Sequence, residues 1–392
     1  MVPRPLQAAL IAGSCTLLAV PLTTGVAGAT TPKTPTPTVV VSGLNNPRQL
    51  SMVGGQVLLI AEAGKGGTLA STTGEEGPQG IGLSGSISAV LAPRYATNQQ
   101  PHRIVTGLLS AAGPDGSYAL GPDGVSARSL SSIYIQETDY PQDVLAALPE
   151  ADAKTAGSLL RAKPYGTAKP IADITGYEQN NPDGQAVDSD PYAVLQVGNY
   201  QLVADAAGND ILKVDDGRIS VFHVFPNITT EACLDPAVQQ PPPVQPGCQF
   251  VPTSLATDRR GHIYVGALAG LVPGQGRVVE LSANGRQVLH TWTGLSSVTG
   301  VAVSRDESLY VSQLFAPEAA PFNPAVQGVL TKISDNGKRT NVDVPFPAGV
   351  ALDNHGNVFV SAFSIAPDSG LADPATGKVV PGTSGQVWRL RF

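Results

Sequence analysis

Charge is sparse in this chain. Of its 392 residues only 14% are charged, 24 Lys and Arg set against 31 Asp and Glu. No basic stripe or Lys/Arg cluster is visible, which excludes nucleic acid and anionic membrane surfaces as partners. Hydrolase and transferase motifs are missing as well. Gly82-Leu83-Ser84-Gly85 has the wrong spacing for the nucleophile elbow G-x-S-x-G. The histidines, at positions 102, 223, 262, 290 and 355, fall mostly on expected outer strands or turns. None lies two or four residues from another His or Cys, so zinc-ligand spacing is absent. Cysteine is confined to Cys15, Cys233 and Cys248.

The first 29 residues read as a secretory signal peptide, so secretion is expected. Arg4 supplies the positive n-region, Leu6 to Val20 is largely apolar, and Ala27-Gly28-Ala29 is an A-x-A cleavage site. The alternative is an uncleaved membrane anchor. Pro21 interrupts the apolar run, whereas a span needs about 20 apolar residues. Residues 30–37 form a Pro/Thr-rich spacer of polyproline-II character. Cleavage removes Arg4 from the 24 basic residues, so 23 against 31 leaves a formal charge of −8. It also removes Cys15. In an oxidising compartment the remaining pair, Cys233 and Cys248, is expected to form a disulfide. Closing that Pro-rich loop is worth roughly 3 kcal/mol in the chain-entropy model.

Glycine (43) and proline (34) are abundant, which suits many tight turns between short strands. One phrase recurs: an inner strand, a turn with Asp or Gly, then a strand ending in Tyr-Val or its equivalent. It occupies Pro252–Val265, Val298–Val311 and Pro347–Val360, with starts 46 and 49 residues apart. A strand-only repeat of this period is the signature of a β-propeller blade. Residues 38–392 are therefore read as one all-β domain, a six-bladed β-propeller. Blade one is expected to carry Ser86–Val90 and Arg103–Leu108 as its third and outer strands. The last blade has only three strands at the C-terminus. Thr38–Leu44, with the alternation and β-branched content of an edge strand, is expected to close it. Blade two carries an insertion, Tyr140–Ala162, in which apolar residues recur at helical spacing, so a small helical excursion is expected there.

Several phrases are similar to the ScyD/ScyE family of exported, NHL-like propellers. They are Gly43-Leu44-Asn45-Asn46-Pro47-Arg48 with Ala61-Glu62-Ala63-Gly64, Asn180–Gly184, Asp188–Tyr192, Val203–Asp210, and the insertion ending Leu160-Arg161-Ala162. The resemblance covers nearly the whole mature chain. It implies fold and export, and no particular reaction. The chain departs from the family's wording with Gln49 where Gly is typical of Pro-Arg-Gly-Leu, and with Asp190 where Asn often precedes Pro-Tyr.

Glu62, Glu137, Asp205 and Asn209 follow second strands, and Asn46, Arg48 and Asp190 stand at the starts of first strands. Together they are the candidate ligand-binding residues on one face of the ring. In six-bladed enzymes similar to gluconolactonases and paraoxonases, such residues hold one Ca²⁺, and here Glu62, Asp205 and Asn209 are the candidates for it. A hard cation takes six to eight oxygen ligands and can polarise an ester or lactone carbonyl. Asp and Asn at these places also commonly cap turns, and blades four to six offer Ala267, Gln313 and Ala362 instead of acids. Gly121-Pro122-Asp123-Gly124 reads as a turn signature. The leading expectation is a monomeric binding module holding a small molecule, peptide or glycan over the central channel. The alternative is a calcium-dependent hydrolase or lactonase.

Overall fold

The recurrent turn is built by an aspartate side chain. Asp258 Oδ1 accepts the N–H of Arg260 at 2.8 Å and of His262 at 2.9 Å. Asp353 Oδ1 accepts those of His355 at 2.7 Å and Asn357 at 3.0 Å. Gly261 and Gly356 take the positive φ that such a turn needs, at 82° and 77°. In blade five the same place is filled by Glu307 at φ 63°. Each turn joins an inner strand to a second strand that is buried on both faces. Such a strand reads as an apolar run rather than an alternation: Leu58, Leu59 and Ile60 of Val57–Glu62 are all fully buried.

The computed structural model describes residues 35–74, 77–180, 187–238, 245–315, 328–372 and 376–392. The expected signal peptide, most of the expected spacer, Cys15 and residues 181–184 lie outside the described residues. Six antiparallel sheets stand as blades around an axis, which makes a six-bladed β-propeller. The inner strands are Pro47–Val53, Pro122–Ser129, Pro191–Val197, Pro252–Thr257, Val298–Val303 and Val350–Leu352. The hydrophobic core is correspondingly divided, with one buried cluster at every seam between neighbouring blades. The seam between blades four and five, for example, packs Tyr264, Val278 and Leu295 against Val298, Leu309 and Val311.

The N-terminal strand Thr38–Leu44 pairs antiparallel with Gly385–Leu390 as the outer strand of blade six, running from Thr38 opposite Arg389 to Leu44 opposite Gly385. The two chain ends thus share one sheet.

Blade one differs from expectation. Its third strand is Gly77–Leu91 and its outer strand Arg103–Ala112, both longer than the sequence pattern suggests, and Ala70–Gly74 adds a hairpin to the third strand. Glycine makes the close crossing there feasible: a Cβ on Gly67 would meet Gly82 Cα at 2.6 Å. The insertion of blade two packs on this extension. Its helices are only Gln142–Ala147 and Glu150–Ala153, while Ser158–Ala162 is the third strand of the blade. Tyr140, Val144 and Leu148 bury against Ile81, Leu109 and Ala111 of blade one. Cys233 and Cys248 are disulfide-bonded, and Cys248 exchanges two backbone hydrogen bonds with Ile228 beside the bridge. Among the described residues no helix is long and apolar enough to cross a membrane.

Candidate functional site at the channel mouth

In five blades the inner strand begins with a bulge. The register breaks between Pro47 and Leu50, Pro122 and Gly124, Pro191 and Ala193, Pro252 and Ser254, and Val298 and Gly300. A bulge re-aims a side chain away from the alternation of its strand. The residues displaced are Arg48, with Gln49, and Asp123, Tyr192, Thr253 and Thr299. Several of them reach the next blade. Arg48 Nε donates to Asp123 Oδ1 at 2.9 Å. Thr253 Oγ1 donates to Val298 O at 2.6 Å, and Thr299 Oγ1 to Pro347 O at 2.8 Å. Gln49 goes across the ring instead. Its Nε2 donates to the carbonyls of Thr253 at 3.0 Å and Thr299 at 2.7 Å, in blades four and five. Its amide therefore crosses the channel. On the Leu50 side a cavity of about 270 Å³ is lined by all six inner strands.

On the other side of Gln49 stands a group of carboxyl groups with one cation. Asp123 is buried, and burial pushes its carboxyl up to about 7 although Arg48 pulls it down. The Arg48 guanidinium also donates to Ala119 O and Ser364 O, so it ties blades six, one and two together. Glu137 is fully buried. Burial pushes its carboxyl well upward, and the neighbouring Asp123 adds to this. Its Oε1 has only the long contact with Tyr140 Oη at 3.4 Å, and its Oε2 has no hydrogen-bond partner. Half-buried Asp190 accepts from Thr138 Oγ1 at 2.7 Å, and burial raises its carboxyl too. Behind it, burial lifts Asp139 to about 7, with Asp190, Asp205 and Asp188 reinforcing the shift. Tyr192 is raised by burial within the field of Arg48, Asp123 and Asp190.

The residues expected from sequence divide into two sets. Arg48, Glu137 and Asp190 come together around Asp123. Asp205 adjoins this set: its Oδ1 accepts the N–H of Asp190 at 2.7 Å and of Gly208 at 3.0 Å, and its Oδ2 accepts from Ser189 Oγ at 2.6 Å. Burial still lifts it to about 6. Glu62 is held elsewhere, with Oε2 taking the Asn45 N–H at 2.7 Å and Arg103 Nη2 at 2.8 Å, and Oε1 taking Ser88 Oγ at 2.5 Å. Glu62, Asp205 and Gln313 play one architectural part. Each closes its blade by accepting the N–H that precedes the inner strand, from Asn45, Asp190 and Ser296 respectively. Asn46 and Asn209 sit at φ 51° and 56°. Asn46 Nδ2 donates to Gly64 O and Gly116 O, and Asn209 Oδ1 accepts from Val251 N. The structure does not bring Glu62, Asp205 and Asn209 into one set of metal ligands.

Asp123 escaped the sequence reading because Gly121–Gly124 looked like a turn. Pro122 in fact begins an inner strand, and Gly124 is there for close packing, since a Cβ would lie 2.9 Å from Val194 N and from Gln136 Cβ. The signal lay in the recurrence of Pro47-Arg48, Pro122-Asp123, Pro191-Tyr192 and Pro252-Thr253, where the residue after proline is the bulged one. His262, which has no His or Cys at ligand spacing in the sequence, is brought by the fold to Asp258 and Glu280. Those three form the one group of three His, Cys, Asp or Glu ligand atoms within 4.8 Å of one another among the described residues.

No family model and no curated protein matches the chain. Among solved structures it is similar to the PQQ-bound aldose sugar dehydrogenase of Streptomyces coelicolor, at 12% identity and TM-score 0.49, over 92% of this chain and 99% of that one. It is similar to a streptogramin B lyase at 9% identity and TM-score 0.45, over 91% and 97%. It is also similar to a chain of a nidogen/laminin complex at 12% identity and TM-score 0.45, over 78% and 94%. At such identities no activity transfers. The propeller assignment rests on the strand pairing of this chain itself.

Proposed function

We propose that the protein is an exported binding module of the ScyD/ScyE type. It would hold a small amine-bearing ligand at the Arg48 end of the channel. The observation that carries this reading is Glu137. A fully buried carboxyl with one oxygen unpartnered is costly unless something compensates it. Asp123 adds its charge to Glu137, and Asp123 in turn meets Arg48 and the field of Asp190. A protonated amine would supply the missing donors and charge. Export is supported by the apolar run Leu6–Val20 with its A-x-A site, and by a disulfide that suits an oxidising compartment. Binding is favoured over calcium-dependent hydrolysis because Glu62, Asp205 and Asn209 are engaged with separate backbone donors.

Titration calorimetry of the mature protein with putrescine and with glucosamine, in two buffers of different ionisation enthalpy, tests the reading. Binding should release protons near pH 6, because the cation draws down carboxyls that burial has raised. Asp190→Asn should weaken it about tenfold. An absence of amine binding, or binding that Asp190→Asn leaves unchanged, overturns the proposal.

A further inference from the structure

Blade four departs from blades five and six at two positions that face each other. The turns that begin at Asp258, Ser304 and Asp353 end at His262, Ser308 and Asn357. On the neighbouring strand Tyr264 is paired with Glu280, where Tyr310 is paired with Lys332 and Phe359 with Arg389. So two blades place a cation on the third strand, and blade four places a carboxylate there, with a histidine opposite.

The three side chains converge. His262 Nδ1 lies 2.7 Å from Glu280 Oε1 and 3.5 Å from Asp258 Oδ2. Asp258 fixes the histidine backbone through Oδ1, which leaves Oδ2 facing the imidazole. Tyr264 is the ladder partner of Glu280, and its hydroxyl is raised by burial and by that carboxylate. All three groups are partly exposed, so water reaches them. One cation competes: Arg260 Nε contacts Asp258 Oδ2 at 3.1 Å. Its Nη2 already reaches Glu307 at 3.0 Å, so it can leave Asp258 and keep an ion pair.

We propose that Asp258, His262 and Glu280 bind a divalent transition-metal ion of the zinc class, with water completing the coordination. An imidazole with two carboxylates suits zinc better than calcium or magnesium, which prefer all-oxygen sites. Tetrahedral zinc, with bonds near 2.0–2.2 Å, holds its ligand atoms roughly 3.3 Å apart. The Asp258–His262 separation is already of that size. The His262–Glu280 contact must open by about half an ångström, the ion replacing the hydrogen bond. The ion would then join the turn of blade four to its third strand.

Calorimetry of untagged mature protein with zinc chloride at pH 7.5 tests this. One zinc per chain should bind, with a rise in melting temperature, while magnesium at the same concentration should give no heat. His262→Asn should weaken zinc at least thirtyfold and keep the fold, because blade six carries asparagine there and Asn357 Nδ2 donates to Asp353 Oδ2 at 2.6 Å. Arg260→Ala should tighten zinc several-fold by removing the competing cation, a result that a merely structural His262–Glu280 pair would not give. If His262→Asn does not fold, Glu280→Gln decides in its place by the same loss of affinity. No zinc binding, or zinc binding indifferent to both ligand variants, overturns the proposal.

Discussion

Arg48 and Asp123 form an ion pair at 2.9 Å across the seam between blades one and two, with side chains only 8% and 3% exposed. A pair so buried contributes little over an apolar filling, but removing one partner strands the other. Here the stranding would be compounded, because the same guanidinium satisfies the carbonyls of Ala119 and Ser364.

Arg48→Met should therefore destabilise the protein by about 3–5 kcal/mol at pH 8, the scale for breaking a buried pair. At pH 5 the loss should be smaller, since Asp123, raised to about 7 by burial, is then protonated and no longer an uncompensated charge. Urea midpoints at the two pH values measure this. An equal loss at both would show that Asp123 is not what suffers.

Stability should fall as pH rises from about 4 to about 7. Asp123 and Asp139 are lifted to about 7 and Asp205 to about 6, in each case chiefly by burial. A carboxyl whose folded pKa lies above its unfolded value keeps its proton longer in the native state. Its contribution is complete below the unfolded value and is lost as pH passes through the folded one. Each such proton linkage carries about 1.4 kcal/mol per pH unit across its window. Asp258, held low against its burial by hydrogen bonds from Arg260 and His262, and exposed Asp306, held low by Ser304, act in the opposite direction by smaller shifts. Urea unfolding at pH 5, 6.5 and 8 should give descending free energies, and a maximum at pH 8 would contradict the assignment.

The blades were legible in sequence because their signal is local. Asp258 and Asp353 build their turns from contacts within four residues, and Leu58 to Ile60 announce a strand buried on both faces. The spare Thr38–Leu44 strand followed from counting strands in the last blade. The site was less legible because it is made by bulges, which invert the inside-outside alternation for one residue. Asp123 was hidden in an apparent turn, whereas Glu62 and Asp205, expected as ligands, also accept the backbone N–H groups that close their blades. The His262–Glu280 contact joins residues 18 apart on different strands, a relation that motif spacing along one segment does not reveal.

Closure by the N-terminal strand should matter energetically. Val40, Val41 and Leu44 are buried in the seam between blades six and one, beside Phe359 and Val387. Leu44→Ala should cost about 2–5 kcal/mol, the range for truncating a buried leucine. Denaturant midpoints for this variant against wild type provide the measurement. A loss below 0.5 kcal/mol, a limit well under that range, would mean the strand adds little to the ring.

Gln49 gives the sharpest test of the channel. Its amide spans from blade one to the carbonyls of Thr253 and Thr299 on the far side. Gln49→Gly should cost about 1–3 kcal/mol for two buried hydrogen bonds, at about 0.5–1.5 kcal/mol each. Glycine within a strand adds a further entropic penalty. The two carbonyls cannot remain buried without donors, so water should enter and join the cavity below Leu50 to the carboxyl cluster above. A crystal structure of the variant should show ordered water at both carbonyls, and its denaturant midpoint should fall. An unchanged midpoint with a dry, unaltered channel would show that the Gln49 amide neither divides the channel nor holds the ring across its axis.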